Sequence, residues 1–191
     1  MSDTERLREL LTVKSVKRGS FTLASGKKSD IYVDARLTTM SPEGMVLIGR
    51  IGLERMEAEG WDPDSVGGLT LGADPVAYAI SHTSANRTRP VRAFTVRKEA
   101  KTHGTGRRIE GPFEPGDAVV VIEDVITTGK SALQAIEAVI RDGGLVIGVL
   151  SVVDREEGGR QAILDSGYPV VSLTKISELT EATSDNDSGA S

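Results

Sequence analysis

Two apolar runs, AVVVI at 118–122 and LVIGVLSVV at 145–153, bracket a stretch of helical periodicity at 130–141, and this unit constrains the fold more than any other feature. Neither run alternates with polar residues, so each strand needs cover on both faces. A parallel sheet meets that need, because every crossover helix lays cover on one face. Shorter runs at 66–69, 91–96 and 170–173 extend the pattern, with a helix opened by Pro75 and a short helix before the last strand. The expected class is α/β, a mostly parallel sheet flanked by helices, with right-handed crossovers. At 191 residues the chain suits one core, placed here at 1–178.

Around this unit the signals are weaker. Residues 1–12 read as an amphipathic helix capped by Asp3 or Thr4, with Leu7, Leu10 and Leu11 on one face. The glycine- and lysine-bearing GSFTLASGKKSD reads as a loop into a strand at 31–34, and Ser41-Pro42 starts a helix that buries Met45, Ile48, Gly52 and Met56 and ends near Gly60. Trp61 is expected to pack at a turn and His82 to lie on the surface. Residues 98–115 form a long polar loop of the kind that is usually functional, and the acidic tail 179–191 is expected to be disordered.

Net charge of −5 argues against a surface that attracts nucleic acid, and no apolar run approaches the roughly 20 residues of a membrane span. With no cysteine, disulfides, thiolate metal sites and a cysteine nucleophile are excluded, and catalysis must rest on acids, bases and charge. The charged opening, MSDTERLRELL, is unlike a signal peptide, so a cytoplasmic location is expected. One basic island stands out: Arg97, Lys98, Lys101, Arg107 and Arg108 face only Glu99 and Glu110 within 97–110.

The stretch VVVIEDVITTGKSALQAI, 119–136, joins a strand to two carboxylates and a Thr-Thr-Gly-Lys-Ser turn that opens a helix. A helix N-terminus beyond a strand's carboxyl end offers free N–H groups to an anion, Gly129 lets the backbone come close, and Thr127, Thr128 and Ser131 add hydroxyls. Glu123 and Asp124 would be unfavourable beside a phosphate unless they meet hydroxyls or a divalent cation; a ribose diol and Mg²⁺ satisfy both. A nucleotide-triphosphate P-loop is rejected, because the glycine it needs five residues before Gly129 is Asp124. The rival reading, an ordinary strand with a capped helix behind it, leaves the adjacent acids unexplained.

This stretch resembles the PRPP-binding signature of type I phosphoribosyltransferases, and EDVITTGKS is close to the form found in orotate phosphoribosyltransferases. The resemblance implies that fold with a small N-terminal hood at about 1–40. It also implies a PRPP site at Glu123, Asp124, Val125, Ile126, Thr127, Thr128, Gly129, Lys130 and Ser131, with Asp124 catalytic and Thr127 near the base as well. Glu123 departs from the family's usual aspartate by one methylene. RKEAKTHG resembles the catalytic loop of the same enzymes, so Arg97, Lys98, Lys101 and His103 are carried over as PRPP or pyrophosphate ligands, Lys101 and His103 as catalytic. There the cations would stabilise charge gathering on the leaving group, and His103 could donate a proton. In that family the loop serves the neighbouring subunit, which implies a homodimer with 97–111 reaching across. Without the resemblance, a solvated charge run would be the better reading of the loop.

Arg155 follows the strand at 145–153 and matches the family arginine that pairs with the carboxylate of orotate; the alternative is a surface ion pair with Glu156 or Glu157. FTLASGKKSDIYVDAR resembles the hood, with Ala24 where many bacterial members have lysine and Lys27 and Lys28 nearby. In GGLTLGADPVA, Gly72 also stands where a lysine is common, a form that resembles the archaeal branch. The backbone of 70–73 would then meet pyrophosphate, while Asp74 reads as a helix cap. The expected reaction is Mg²⁺-dependent transfer of the ribose phosphate of PRPP to orotate. The alternatives are another acceptor base, or a PRPP-binding regulator without activity.

Overall fold

The computed structural model describes residues 1–22, 28–99 and 108–187. Its main sheet has six strands in the order β5-β4-β3-β6-β7-β8: β3 is Ser65–Leu69, β4 Arg92–Val96, β5 Ile109–Glu110, β6 Ala118–Ile126, β7 Leu145–Asp154 and β8 Val170–Lys175. All neighbours pair in parallel except β5, which runs antiparallel to β4. The expected α/β class therefore holds, and the long polar loop carries one short strand that its lack of periodicity concealed.

Alternate residues of β6 enter two separate cores. Val120 and Ile122 join the core beneath α1 (Asp3–Lys14), α3 (Pro42–Ala58), α4 (Ala73–Thr83) and α7 (Ile176–Asp187). Val119 and Val121 face α5 (Lys130–Arg141) and α6 (Gly159–Asp165). All four are fully buried, each worth about 1.5–3 kcal/mol relative to exposure.

Connection order decides where the sheet opens. From β3 the chain crosses to β4 through α4; from β6 it crosses the other way to β7 through α5. With right-handed crossovers the two helices fall on opposite faces, so a crevice opens at the carboxyl ends of β3 and β6.

Several boundaries differ from those expected. The first helix is capped by Ser2, whose Oγ accepts from Glu5 N while Glu5 accepts from Ser2 N. Leu7, Leu10 and Leu11 are buried as the periodicity requires. Part of the supposed loop before 31 is strand β1 (Val16–Thr22), antiparallel to β2 (Lys28–Val33) in a separate two-stranded sheet. A one-turn helix α2 (Arg36–Thr39) follows. The tail boundary at 179 also moves, since Leu179 is fully buried and α7 continues to Asp187; residues 188–191 lie outside the described residues. Ser41 Oγ accepts from Gly44 N, as a cap before Pro42 should. His82 is exposed. No helix among the described residues is long and apolar enough to cross a membrane.

Trp61 packs where β7 has no side chain: a Cβ built on Gly148 would lie 2.4 Å from Trp61 Cζ2. Gly148→Ala should therefore cost about 1–3 kcal/mol by overpacking, read as a lower urea midpoint at unchanged slope. An unchanged midpoint would show that the ring is free to move.

Candidate active site

The crevice is a cleft of about 750 Å³. Its floor comes from the ends of β3 and β6 (Leu69 to Gly72; Glu123, Asp124, Val125), one end from Thr127, Thr128, Lys130 and Ser131, and its roof from Tyr32 and Val33 at the end of β2 and Asp34, Ala35 and Arg36 just after it. Lys98 and Arg155 complete the lining. Most of the residues singled out from sequence thus converge. Ile126 does not offer its side chain, which is buried beneath α5 while its carbonyl accepts from Arg155 N at 2.9 Å. Arg97 is outside the lining and pairs with Glu110 at 3.6 Å. Lys101, His103, Arg107, Ala24 and Lys27 lie outside the described residues.

Gly129 caps α5 with φ of +78°, and a Cβ there would stand 2.7 Å from Gly159 O. Gly159 is the reciprocal half: its own Cβ would meet Thr127 O at 2.5 Å and Gly129 N at 2.6 Å, and its N–H donates to Thr127 O at 3.0 Å. The Thr127 to Ser131 turn is therefore braced from behind by α6. Sequence reading missed this brace, although the paired glycines in DREEGGRQAI were its visible trace.

β6 runs on through the acids instead of ending at them. Glu123 is buried, and that burial pushes its carboxyl well above the usual carboxylate range, with the neighbouring Asp124 charge pushing the same way. Asp124 is less buried, and Val125 N donates to it at 2.9 Å. Its carboxylate fills the space beside Gly72, where a Cβ would lie 2.4–2.5 Å from it.

Asp74 is not a cap. Gly72 holds the cap position, and the Asp74 carboxylate, inside the first turn of α4, accepts from Thr70 Oγ1 at 2.6 Å and Thr95 Oγ1 at 2.9 Å. With the Thr95 proton so used, Tyr78 donates to Thr95 Oγ1 at 2.9 Å. A buried carboxylate at a helix N-terminus is favoured by the dipole, and here it ties the cleft turn to β4.

Arg155 is only 8% exposed. Its Nη2 donates to Glu157 Oε1 at 2.6 Å and, at longer range, to Ile31 O at 3.4 Å and Ser29 Oγ at 3.5 Å, linking β7 to the hairpin. Arg155 pairs with Glu157, as the ion-pair reading expected, but it does so buried at the cleft wall and not on the surface. Among the described residues its Nε is buried with no acceptor, a donor that a ligand carboxylate can satisfy.

Among the described residues no group of three or more His, Asp or Glu could hold a metal. Glu123 and Asp124 supply two carboxylates at most, a donor set that fits a divalent ion carried largely by substrate oxygens.

No family model matches the chain. It is 50% identical over 182 residues to an orotate phosphoribosyltransferase of Aquifex aeolicus, covering 94% of this chain and 98% of the relative. A crystal structure of the Mycobacterium tuberculosis orotate phosphoribosyltransferase with Fe(III) dicitrate has a TM-score of 0.81 at 47% identity, covering 93% of this chain and 99% of the other. The same enzyme in complex with PRPP has a TM-score of 0.79 at 43% identity, covering 94% and 99%.

Two outcomes are expected. Gly159→Ala should push the anion loop out of place, weakening phosphate binding and lowering stability by about 1–3 kcal/mol; wild-type phosphate affinity in a calorimetric titration would remove the brace from the account. For Glu123 the folded chain keeps a proton that the unfolded chain has released, so stability falls as pH rises from the ordinary carboxylate value through the raised one. Glu123→Gln lacks that slope, and its gain in unfolding midpoint over the parent should grow as pH rises above the ordinary carboxylate range. Parallel midpoint curves would contradict this.

Proposed function

Because the chain belongs to the orotate phosphoribosyltransferase family, we propose that its cleft joins orotate to the ribose phosphate of PRPP, giving orotidine 5′-monophosphate and pyrophosphate for pyrimidine nucleotide synthesis. The observation that carries this reading is a single cleft with an anion loop at a helix N-terminus and a buried arginine bearing an open donor.

Thr127 to Ser131 hold the 5-phosphate through backbone N–H groups and hydroxyls, and Asp124 with Glu123 faces the ribose hydroxyls. Arg155 orients orotate by its carboxylate, with Thr127 beside the base and the β1–β2 hairpin as a hood that excludes water. N1 of orotate forms its bond to C1 as the bond from C1 to the diphosphate oxygen breaks, the electron pair of that bond leaves with the diphosphate, and the N1 proton passes to the departing diphosphate. Charge gathers on the departing diphosphate, where Lys98, together with Arg97, Lys101 and His103 of the basic segment, lowers the barrier by electrostatic stabilisation. Magnesium, when bound with the substrate, neutralises part of that charge.

In this reading residues 1–178 act as one unit. Two copies associate so that 97–111, apart from Lys98, which lines its own cleft, serves the neighbouring one, a homodimer supported by the exposed apolar side chains Leu37, Met40, Val46, Leu71 and Tyr78 on α2 and its C-cap, α3, α4 and the turn before α4. The setting is the cytoplasm, since a chain without cysteine gains nothing from an oxidising compartment.

Protein mixed with orotate, PRPP and Mg²⁺ should deplete orotate absorbance, uracil should not replace orotate, and Arg155→Ala should lower kcat/KM for orotate about 30-fold or more. No loss of orotate, or equal use of uracil, would overturn the assignment.

A further inference from the structure

We infer that Arg36, on the hood side of the cleft, is a further substrate-binding residue that takes the diphosphate of PRPP and the pyrophosphate product, with Asp34 holding its guanidinium in place. This deepens the orotate phosphoribosyltransferase reading and rests on it.

The argument starts from the anions that one PRPP brings. Its 5-phosphate belongs at the α5 N-terminus and its ribose hydroxyls beside Asp124, while the acceptor's carboxylate belongs at Arg155. What remains for the diphosphate is the wall between the Thr70 to Gly72 turn and the hood. Position 72 can bring no cation to that wall, because the Asp124 carboxylate already fills the space a Cβ would need. The turn offers only backbone there, so positive charge must come from another element.

Arg36 supplies it. It lines the cleft as the first residue of α2, and its place is set by the hairpin, since Asp34 N donates to Ser15 O at 2.9 Å and Val33 pairs with Val16. Asp34 grips it three times: Arg36 N donates to Oδ1 at 3.2 Å, Nε to Oδ1 at 2.8 Å and Nη2 to Oδ2 at 3.0 Å. Among the described residues Nη1 has no protein acceptor. An exposed ion pair on an ordinary surface contributes little, but this one faces a cleft built for a polyanion, where a held fork loses less freedom on binding. The Asp34 carboxylate raises the guanidinium pKa above its ordinary value by hydrogen bonding, and the Asp124 charge adds to the effect, which puts Arg36 within electrostatic reach of the ribose site. The other described cations of the cleft are differently placed: Arg155 is paired with Glu157, Lys130 stands at the anion loop and Lys98 on the basic segment.

The test compares wild type with Arg36→Ala, Arg36→Lys and Asp34→Asn by initial rates with PRPP and orotate varied separately, and by calorimetric titration with pyrophosphate and Mg²⁺. Arg36→Ala should raise KM for PRPP and Kd for pyrophosphate about tenfold or more, with KM for orotate shifted less than about twofold. Arg36→Lys should recover part of that loss, since the charge returns without the fork, and Asp34→Asn should fall between Arg36→Lys and wild type. If Arg36→Ala does not fold, Arg36→Lys and Asp34→Asn carry the same comparison. Wild-type PRPP and pyrophosphate constants in the folded variants, or equal shifts for PRPP and orotate, would overturn the inference. A wild-type protein that leaves orotate untouched would instead overturn the reading on which it rests.

Discussion

Everything at the cleft depends on one topological constraint, the reversal of strand order between β3 and β6. A right-handed crossover from β3 throws α4 to one face, and a right-handed crossover in the opposite direction from β6 throws α5 to the other. No helix covers the point of divergence, so the carboxyl ends of these two strands stay open. The carboxylates, the Thr70 to Gly72 turn and the anion loop meet there because the chain has nowhere else to place the ends of its central strands.

On that scaffold the local contacts are set by missing side chains as much as by present ones. Gly129 and Gly159 bring two helix N-termini within backbone contact, and Gly72 makes room for Asp124. A methyl group at any of the three would collide with backbone or carboxylate atoms. The glycines therefore set distances, and those distances let donors and acids crowd into one cleft. Charge is handled in the same way. Asp74 is buried but accepts two hydroxyl hydrogen bonds, Arg155 is buried but pairs with Glu157, and Glu123 is buried next to another acid, Asp124. Burial, with the Asp124 charge beside it, holds the Glu123 carboxyl well above the usual carboxylate range.

Legibility followed the range of the interaction. The β6–α5–β7 unit could be read closely, to the helix bounds of Lys130–Arg141, because period, strand length and turn chemistry are all local. The β1–β2 hairpin could not. VKRGSFT carries lysine, arginine and glycine, and it is a strand only because KSDIYV pairs with it. For 179–191 the polar composition pointed to disorder, whereas Leu179 is buried in the core that holds α1 and α7 runs on to Asp187. Asp74 looked like a cap because it precedes proline; the hydroxyls that claim it come from Thr70 and from a strand 21 residues away.

The sequence by itself determined the strand rhythm, the glycine turn that opens α5 and the pair of acids before it, since each is written in neighbouring residues and in backbone preferences that act over a few positions. Only the tertiary structure decided that Gly159 braces the loop, that Arg155 is shared between Glu157 and the hairpin, and that Asp34 and Arg36 roof the cleft. Those contacts join residues up to 126 positions apart, and their geometry comes from how sheet, helices and hairpin pack together, which no local pattern encodes.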